Sequence, residues 1–139
     1  MIVPQLFATR GGREILVAAH REWTESYWLA DLDSCLQPTG FSLRRCDLGA
    51  DTVERVAGGG VAGAVVITEH RWADTLSMLR VIRSINLELP CWLIADEPTG
   101  PVLQTALALR VNGVMCPPVT PVSLSLTLTR VLVGQVGTG

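Results

Sequence analysis

The chain contains no lysine. All 11 of its positive charges are arginine, set against 13 carboxylates, for a net charge of −2 over 139 residues. No basic field is available to grip a phosphate backbone, which argues against a stand-alone nucleic-acid binder. No apolar run reaches the roughly 18 residues of a membrane span. The first dozen residues lack the charged start and long apolar core of a signal peptide. A cytoplasmic protein with neither nucleic acid nor membrane as partner is the expectation. The four cysteines, Cys35, Cys46, Cys91 and Cys116, show no CxxC spacing and read as buried free thiols in a reducing compartment. Only 17% of residues are charged against 48% hydrophobic, too apolar a balance for disorder. Repeats and low-complexity linkers are also missing.

What is present is an alternation. An arm, residues 1–13, precedes a continuous apolar run at 15–19, the pattern of a parallel strand covered on both faces. Thr24 is placed to cap a helix whose inner stripe is Trp28, Leu29, Leu32, Cys35 and Leu36, stopped by Pro38-Thr39-Gly40. A shorter strand follows at 41–46. Asp51 and Glu54 stand at capping-box spacing before a short helix that ends at Gly58-Gly59-Gly60. Strands at 62–68, 91–95 and 114–116 alternate with helices at 74–85, from Pro101 to about Arg110, and from Thr120-Pro121 to Gly134. Five strand–helix alternations with right-handed crossovers predict one α/β domain over residues 14–134. It is a three-layer, doubly wound, five-stranded parallel sheet in the flavodoxin-like order 2-1-3-4-5, with residues 135–139 as a flexible tail.

Ligands of such folds bind outside the carboxyl ends of the strands. Those ends carry Ala19 and His20, then Thr68, Glu69 and His70, then Asp96 and Glu97, then Pro117-Pro118. The stretches "AGAVVIT", "LRVIRSINLELPCWLIAD" and "VNGVMCPPVTPVSL" resemble a response-regulator receiver domain over about residues 14–133. The resemblance implies a pocket in which two acidic residues after the first strand hold Mg²⁺; here they map to Ala19 and His20. The phospho-accepting Asp maps to Thr68, the Ser or Thr of the fourth strand to Ala95, and the aromatic switch residue to Val114. The Lys that precedes a cis proline maps to Pro117, followed by Pro118. Mg²⁺-assisted phosphoryl transfer needs hard oxygen ligands and a cation, so the implied pocket is vestigial and the chain is not phosphorylatable. The run from Val61 to Glu97, with "LRVNGVMCPPVTP", is also similar to the N-terminal wing domain of bacterial Orn/Lys/Arg decarboxylases. That resemblance implies a degenerate receiver-like module that builds oligomers and carries no pyridoxal phosphate.

Sharper readings stand beside plainer ones. His20, Glu69, His70 and Asp96 are residue types for a divalent metal, and equally polar residues at strand ends. Cys116 beside His20 is either a nucleophile or an inert thiol. Gly58-Gly59-Gly60 precedes a strand instead of following one, so it is a turn and no phosphate cradle. Trp92 belongs to the core, while Trp23 and Trp72 flank the carboxyl-edge loops. In the last helix Leu124, Leu128, Val131 and Leu132 form an inner stripe. Val122, Leu126 and Val133 recur on a second face, and Arg130 is the helix's single charge. A solvated helix normally shows a charged face. These three residues, with Val114, are the expected interface, or else they are covered by Ile2, Val3, Leu6 and Phe7 of the arm. The expectation is a chain with no catalytic residue, no cofactor and no resident metal, which contacts a second copy of itself as a dimer or a larger protein. Two alternatives remain: the wing of a pyridoxal-phosphate-dependent decarboxylase, and a small-molecule or metal sensor at the carboxyl edge of the sheet.

Overall fold

The computed structural model describes residues 13–20, 22–23, 26–68 and 72–137. The expected cap Thr24 lies outside them. Elements follow in the order β1 (Glu14–Ala19), α1 (Ser26–Leu36) with a 3₁₀ turn at Gln37–Thr39, β2 (Ser42–Asp47), α2 (Ala50–Gly58) and β3 (Val61–Thr68). Then come α3 (Trp72–Ile85), β4 (Cys91–Ala95), α4 (Gly100–Ala108), β5 (Gly113–Met115) and α5 (Pro121–Gly137). The strands form one sheet in the order β2-β1-β3-β4-β5, and every pairing is parallel.

The side-chain period of two divides the core between the sheet's faces. Ile15, Val17 and Ala19 of β1, Val65 and Ile67 of β3, and Trp92 and Ile94 of β4 meet Leu32 and Leu36 of α1 and Leu124, Leu128 and Leu132 of α5. The alternate residues, among them Leu16, Ala18, Val66, Leu93 and Ala95, pack under Val56 of α2, Leu79 and Ile82 of α3, and Ala106 of α4. Two helices therefore cover one face and three the other. β1 after Glu14, β3 as far as Ile67 and the whole of β4 are apolar because both faces of these strands are covered. Trp92 fits this layer because glycine sits beneath it on both neighbouring strands. A Cβ at Gly63 would lie 3.1 Å from the indole, and one at Gly113 3.6 Å from it.

Several local expectations are corrected. Gly49, at φ +123°, is the residue before α2, and Asp51 lies inside the first turn. Asp51 Oδ2 there accepts from the Asp47 N–H at 3.1 Å, and Thr52 donates to the Asp47 carbonyl at 2.8 Å. No capping box forms. α4 stops at Ala108, before the predicted Arg110, because Arg110 adopts a left-handed φ of +60°. Arg83 closes that end, donating to the carbonyls of Leu109 at 2.7 Å and Arg110 at 3.0 Å. β5 is shifted one residue, leaving Cys116 outside it. α5 continues through Gly134 to Gly137, so the expected tail at residue 135 begins as helix; one interior glycine costs only about 1 kcal/mol. The cysteines are not uniformly buried: Cys46 and Cys91 are, Cys35 is half-buried and Cys116 is exposed.

Candidate functional site

At the carboxyl edge, strand-end side chains inherit the burial of the strands that carry them. Ala19 and Ala95 are fully buried and face opposite helical layers. Thr68 is buried, and its hydroxyl has no hydrogen-bond partner; neither does that of Thr75 on α3. Pro117 is exposed and joined to Pro118 by a cis peptide bond. The parallel strands bring Ala19, His20, Thr68, Ala95 and Pro117 to the carboxyl edge of the sheet. Of these, Ala19, Ala95 and Pro117 offer no polar side-chain group, and Thr68 offers a hydroxyl where the resemblance implies a carboxylate. Glu69, His70 and the arm fall outside the described residues, and so does the placement of the Trp72 side chain. Among the described residues, no group of three His, Cys, Asp or Glu is arranged to hold a metal ion. None of the hydrogen bonds among the described residues joins Cys116 to His20.

His20 is half-buried, and its Nδ1 accepts from the Glu22 N–H at 3.4 Å. The strongest polar feature of this edge is Arg45, near the end of β2, which the sequence pattern left as an ordinary strand residue. Its Nη2 donates to the carbonyls of His20 at 2.8 Å and Trp23 at 3.3 Å. Its Nη1 donates to the Cys46 carbonyl and lies 3.5 Å from Asp47 Oδ1. The guanidinium also lies over the Trp23 ring, 5.8 Å from the centroid. Trp23 packs edge-on against Trp28 at 5.8 Å, and Trp28 Nε1 donates to the Val119 carbonyl at 2.7 Å. The β1–α1 loop is thereby tied to β2, and α1 to the β5–α5 loop. The signal for this clamp was a pair of adjacent arginines in a short strand, with Trp23 expected at a loop end and Trp28 on the inner stripe of the next helix.

The thiols respond to their surroundings. Burial pushes Cys91 up to about 11, and burial likewise raises Cys46, partly opposed by its hydrogen bond with Thr52.

The fold has clear counterparts among solved structures. A CheY-like response-regulator receiver domain protein from Methanospirillum hungatei superposes with a TM-score of 0.74 at 12% identity, over 91% of this chain and 98% of its own. The arrangement is a receiver fold. A putative pilus assembly-related protein from Burkholderia pseudomallei matches at 21% identity and TM-score 0.66, over 88% of this chain and 91% of that one. A putative pilus assembly protein (cpaE) from Burkholderia thailandensis matches at 21% and 0.64, over 88% and 98%. No family model and no curated protein matches the sequence.

Away from the edge, the inner residues Leu124, Leu128 and Leu132 of α5 are buried, and Val122, Leu126 and Val133 are 59%, 61% and 46% exposed. Val114 does not share that surface. It is half-buried and packs against the core beneath α3 and α4, because β5 turns it to that layer. Leu107 of α4 is also an exposed large apolar side chain, at 67%.

Proposed function

We propose that this chain is a non-catalytic, phosphorylation-independent receiver-fold module that acts by protein contact, pairing with a second copy of itself through the face built from α4, β5 and α5. The observation that carries this reading is the outer face of α5, where Val122, Leu126 and Val133 stand in solvent on a helix with one charge. The apolar strand ends Ala19 and Ala95 support the absence of phosphoryl chemistry. The pilus-assembly names of two structural neighbours agree with a role in assembly. Burying three such side chains contributes about 1.5–3 kcal/mol each. Lost translational and rotational freedom costs about 4–15 kcal/mol. The two are comparable, so the stripe alone gives weak association.

Sedimentation of the wild type and of Leu126→Glu tests the reading. The wild type is expected to associate with rising concentration, and the variant to stay folded and remain monomeric, because an unpaired carboxylate in the seam is costly to desolvate. A wild type that stays monomeric at high concentration refutes self-association. A variant that unfolds places Leu126 in the core. Treatment with acetyl phosphate and Mg²⁺ is expected to leave the intact mass unchanged; an adduct on Thr68 or a neighbour would overturn the inert pocket.

A further inference from the structure

We infer that Asp33 and Asp51 close the free edge of β2 and keep the sheet from continuing into β2 of a second copy. The α5 face takes no part in this. Among the described residues, β2 and β5 are the edges of the sheet. β5 has three residues, too few to template a further strand, whereas β2 has six. In a parallel ladder, alternate residues turn their backbone groups toward the same neighbour. The Ser42 N–H donates to the Arg13 carbonyl and the Leu48 N–H to the Ala19 carbonyl, each at 2.9 Å. Ser42, Arg44 and Cys46 therefore face β1, and Leu43, Arg45 and Asp47 face outward.

Two of these outward N–H groups are taken by carboxylates of the same chain. Leu43 donates to Asp33 Oδ1 at 3.3 Å, and Asp47 donates to Asp51 Oδ2 at 3.1 Å. Asp33 belongs to α1 and Asp51 to α2, which cover opposite faces of the sheet, so one half-buried carboxylate reaches the edge from each layer. Each is also held at its other oxygen. Gln37 Nε2 donates to Asp33 Oδ2 at 3.4 Å, and Arg55 Nε lies 3.5 Å from Asp51 Oδ1. The outward carbonyl of Asp47 is occupied too, by the Thr52 hydroxyl at 2.8 Å.

Two copies related by a two-fold axis would join their β2 strands antiparallel. Centred on Arg45, that pairing sets Leu43 of one copy opposite Asp47 of the other. It needs the Leu43 N–H and both backbone groups of Asp47, and these are the groups already bonded within the chain. An incoming neutral carbonyl would have to displace a carboxylate, and a charged acceptor makes a hydrogen bond about twice as strong. The displaced carboxylate would then face the oxygen that replaced it, with no donor left between them. An exposed six-residue edge is an open template without such groups.

The test is amide hydrogen exchange by NMR on the full chain, with sedimentation over a concentration series. In the wild type, the Leu43 and Asp47 amides are expected to be protected about tenfold more than the Arg45 amide between them. Equal protection at all three overturns the closed edge. Asp33→Ala places the best helix former inside α1; Leu43 is expected to lose about tenfold of its protection, while Ser42 and Arg44 keep theirs. An unchanged Leu43, or an equal loss at Ser42 and Arg44, overturns it as well. With Asp33→Ala and Asp51→Ala together, self-association is expected to strengthen several-fold, and the Arg45 amide to gain protection as the copies pair. Association no stronger than in the wild type, or stronger with Arg45 still unprotected, overturns the inference. If the double variant does not fold, Asp33→Ala is taken through the same concentration series and the same two outcomes decide.

Discussion

Gly63 is the point at which sheet, tryptophan and α5 are pressed together, and Gly63→Ala measures how tightly. The new methyl would sit 3.1 Å from the Trp92 ring, 3.3 Å from the Pro90 carbonyl oxygen and 3.6 Å from Leu132. Trp92 is 1% exposed, and Pro90 O accepts the Ala64 N–H at 2.9 Å, so neither gives way freely. Overpacking of this kind costs about 1–3 kcal/mol. Reduced freedom of the unfolded chain returns about 0.4–1 kcal/mol. The mid-range difference is a net loss of about 1.3 kcal/mol, read as a lower urea midpoint at unchanged slope. Gly113→Ala is the internal control: its methyl would meet the same indole at 3.6 Å, an ordinary contact, and stability should hold or rise. Trp92 is also the residue against which α5 seats its inner leucines, so Gly63→Ala should loosen that helix in hydrogen exchange while Gly113→Ala does not. A Gly63→Ala protein as stable as the wild type would show that the indole and α5 shift freely, and the tight-layer reasoning would fail.

Thiol burial makes the fold alkali-sensitive. Cys91 titrates near 11 in the folded chain against an ordinary value of 9.0, so the folded state holds its proton more tightly, and stability is constant below about pH 9 and falls between about 9 and 11. The slope is at most about 1.4 kcal/mol per pH unit for each such thiol, and denaturation of Cys91→Ala across that range should show it removed; an unchanged slope would refute the assignment. Thiol-reactive reagents should label exposed Cys116 first and reach Cys46 and Cys91 only on unfolding. Thr75→Val replaces a buried hydroxyl that has no partner, relieving a desolvation penalty of about 1–3 kcal/mol. Its thermal midpoint should hold or rise, and a clear drop would mean that the hydroxyl is satisfied by water.

Strand order, layering and the strand ends were legible because they follow from apolar periodicity. Residues 15–19 and 91–95 are apolar throughout, and only a strand covered on both faces buries every residue. The α5 stripe was legible for the complementary reason, its lack of charge. What escaped depended on contacts between residues distant in sequence or on backbone angles. Arg45 meets His20 and Trp23 only after β2 aligns beside β1. Arg110 ends α4 through its own left-handed conformation, which no residue pattern announced. Val114 was read as surface because a three-residue strand has too little alternation to assign a face. The likeness to decarboxylase wing domains rests on the same strand-and-helix pattern as the likeness to receivers, so it does not separate the two.

A ligand or modification moves a conformational equilibrium only by the difference in its interaction with the two states. In the arrangement that the receiver resemblance implies, that difference comes from charge at the strand ends. Here those positions are Ala19, His20, Thr68, Ala95 and Pro117, of which only His20 and Thr68 carry a polar side-chain group. The surrounding loops are fastened as well: Arg45 holds the β1–α1 loop through two carbonyls and the face of Trp23, and Trp28 holds the β5–α5 loop at Val119. On the function proposed above, control enters where apolar surface is exposed, at the outer face of α5.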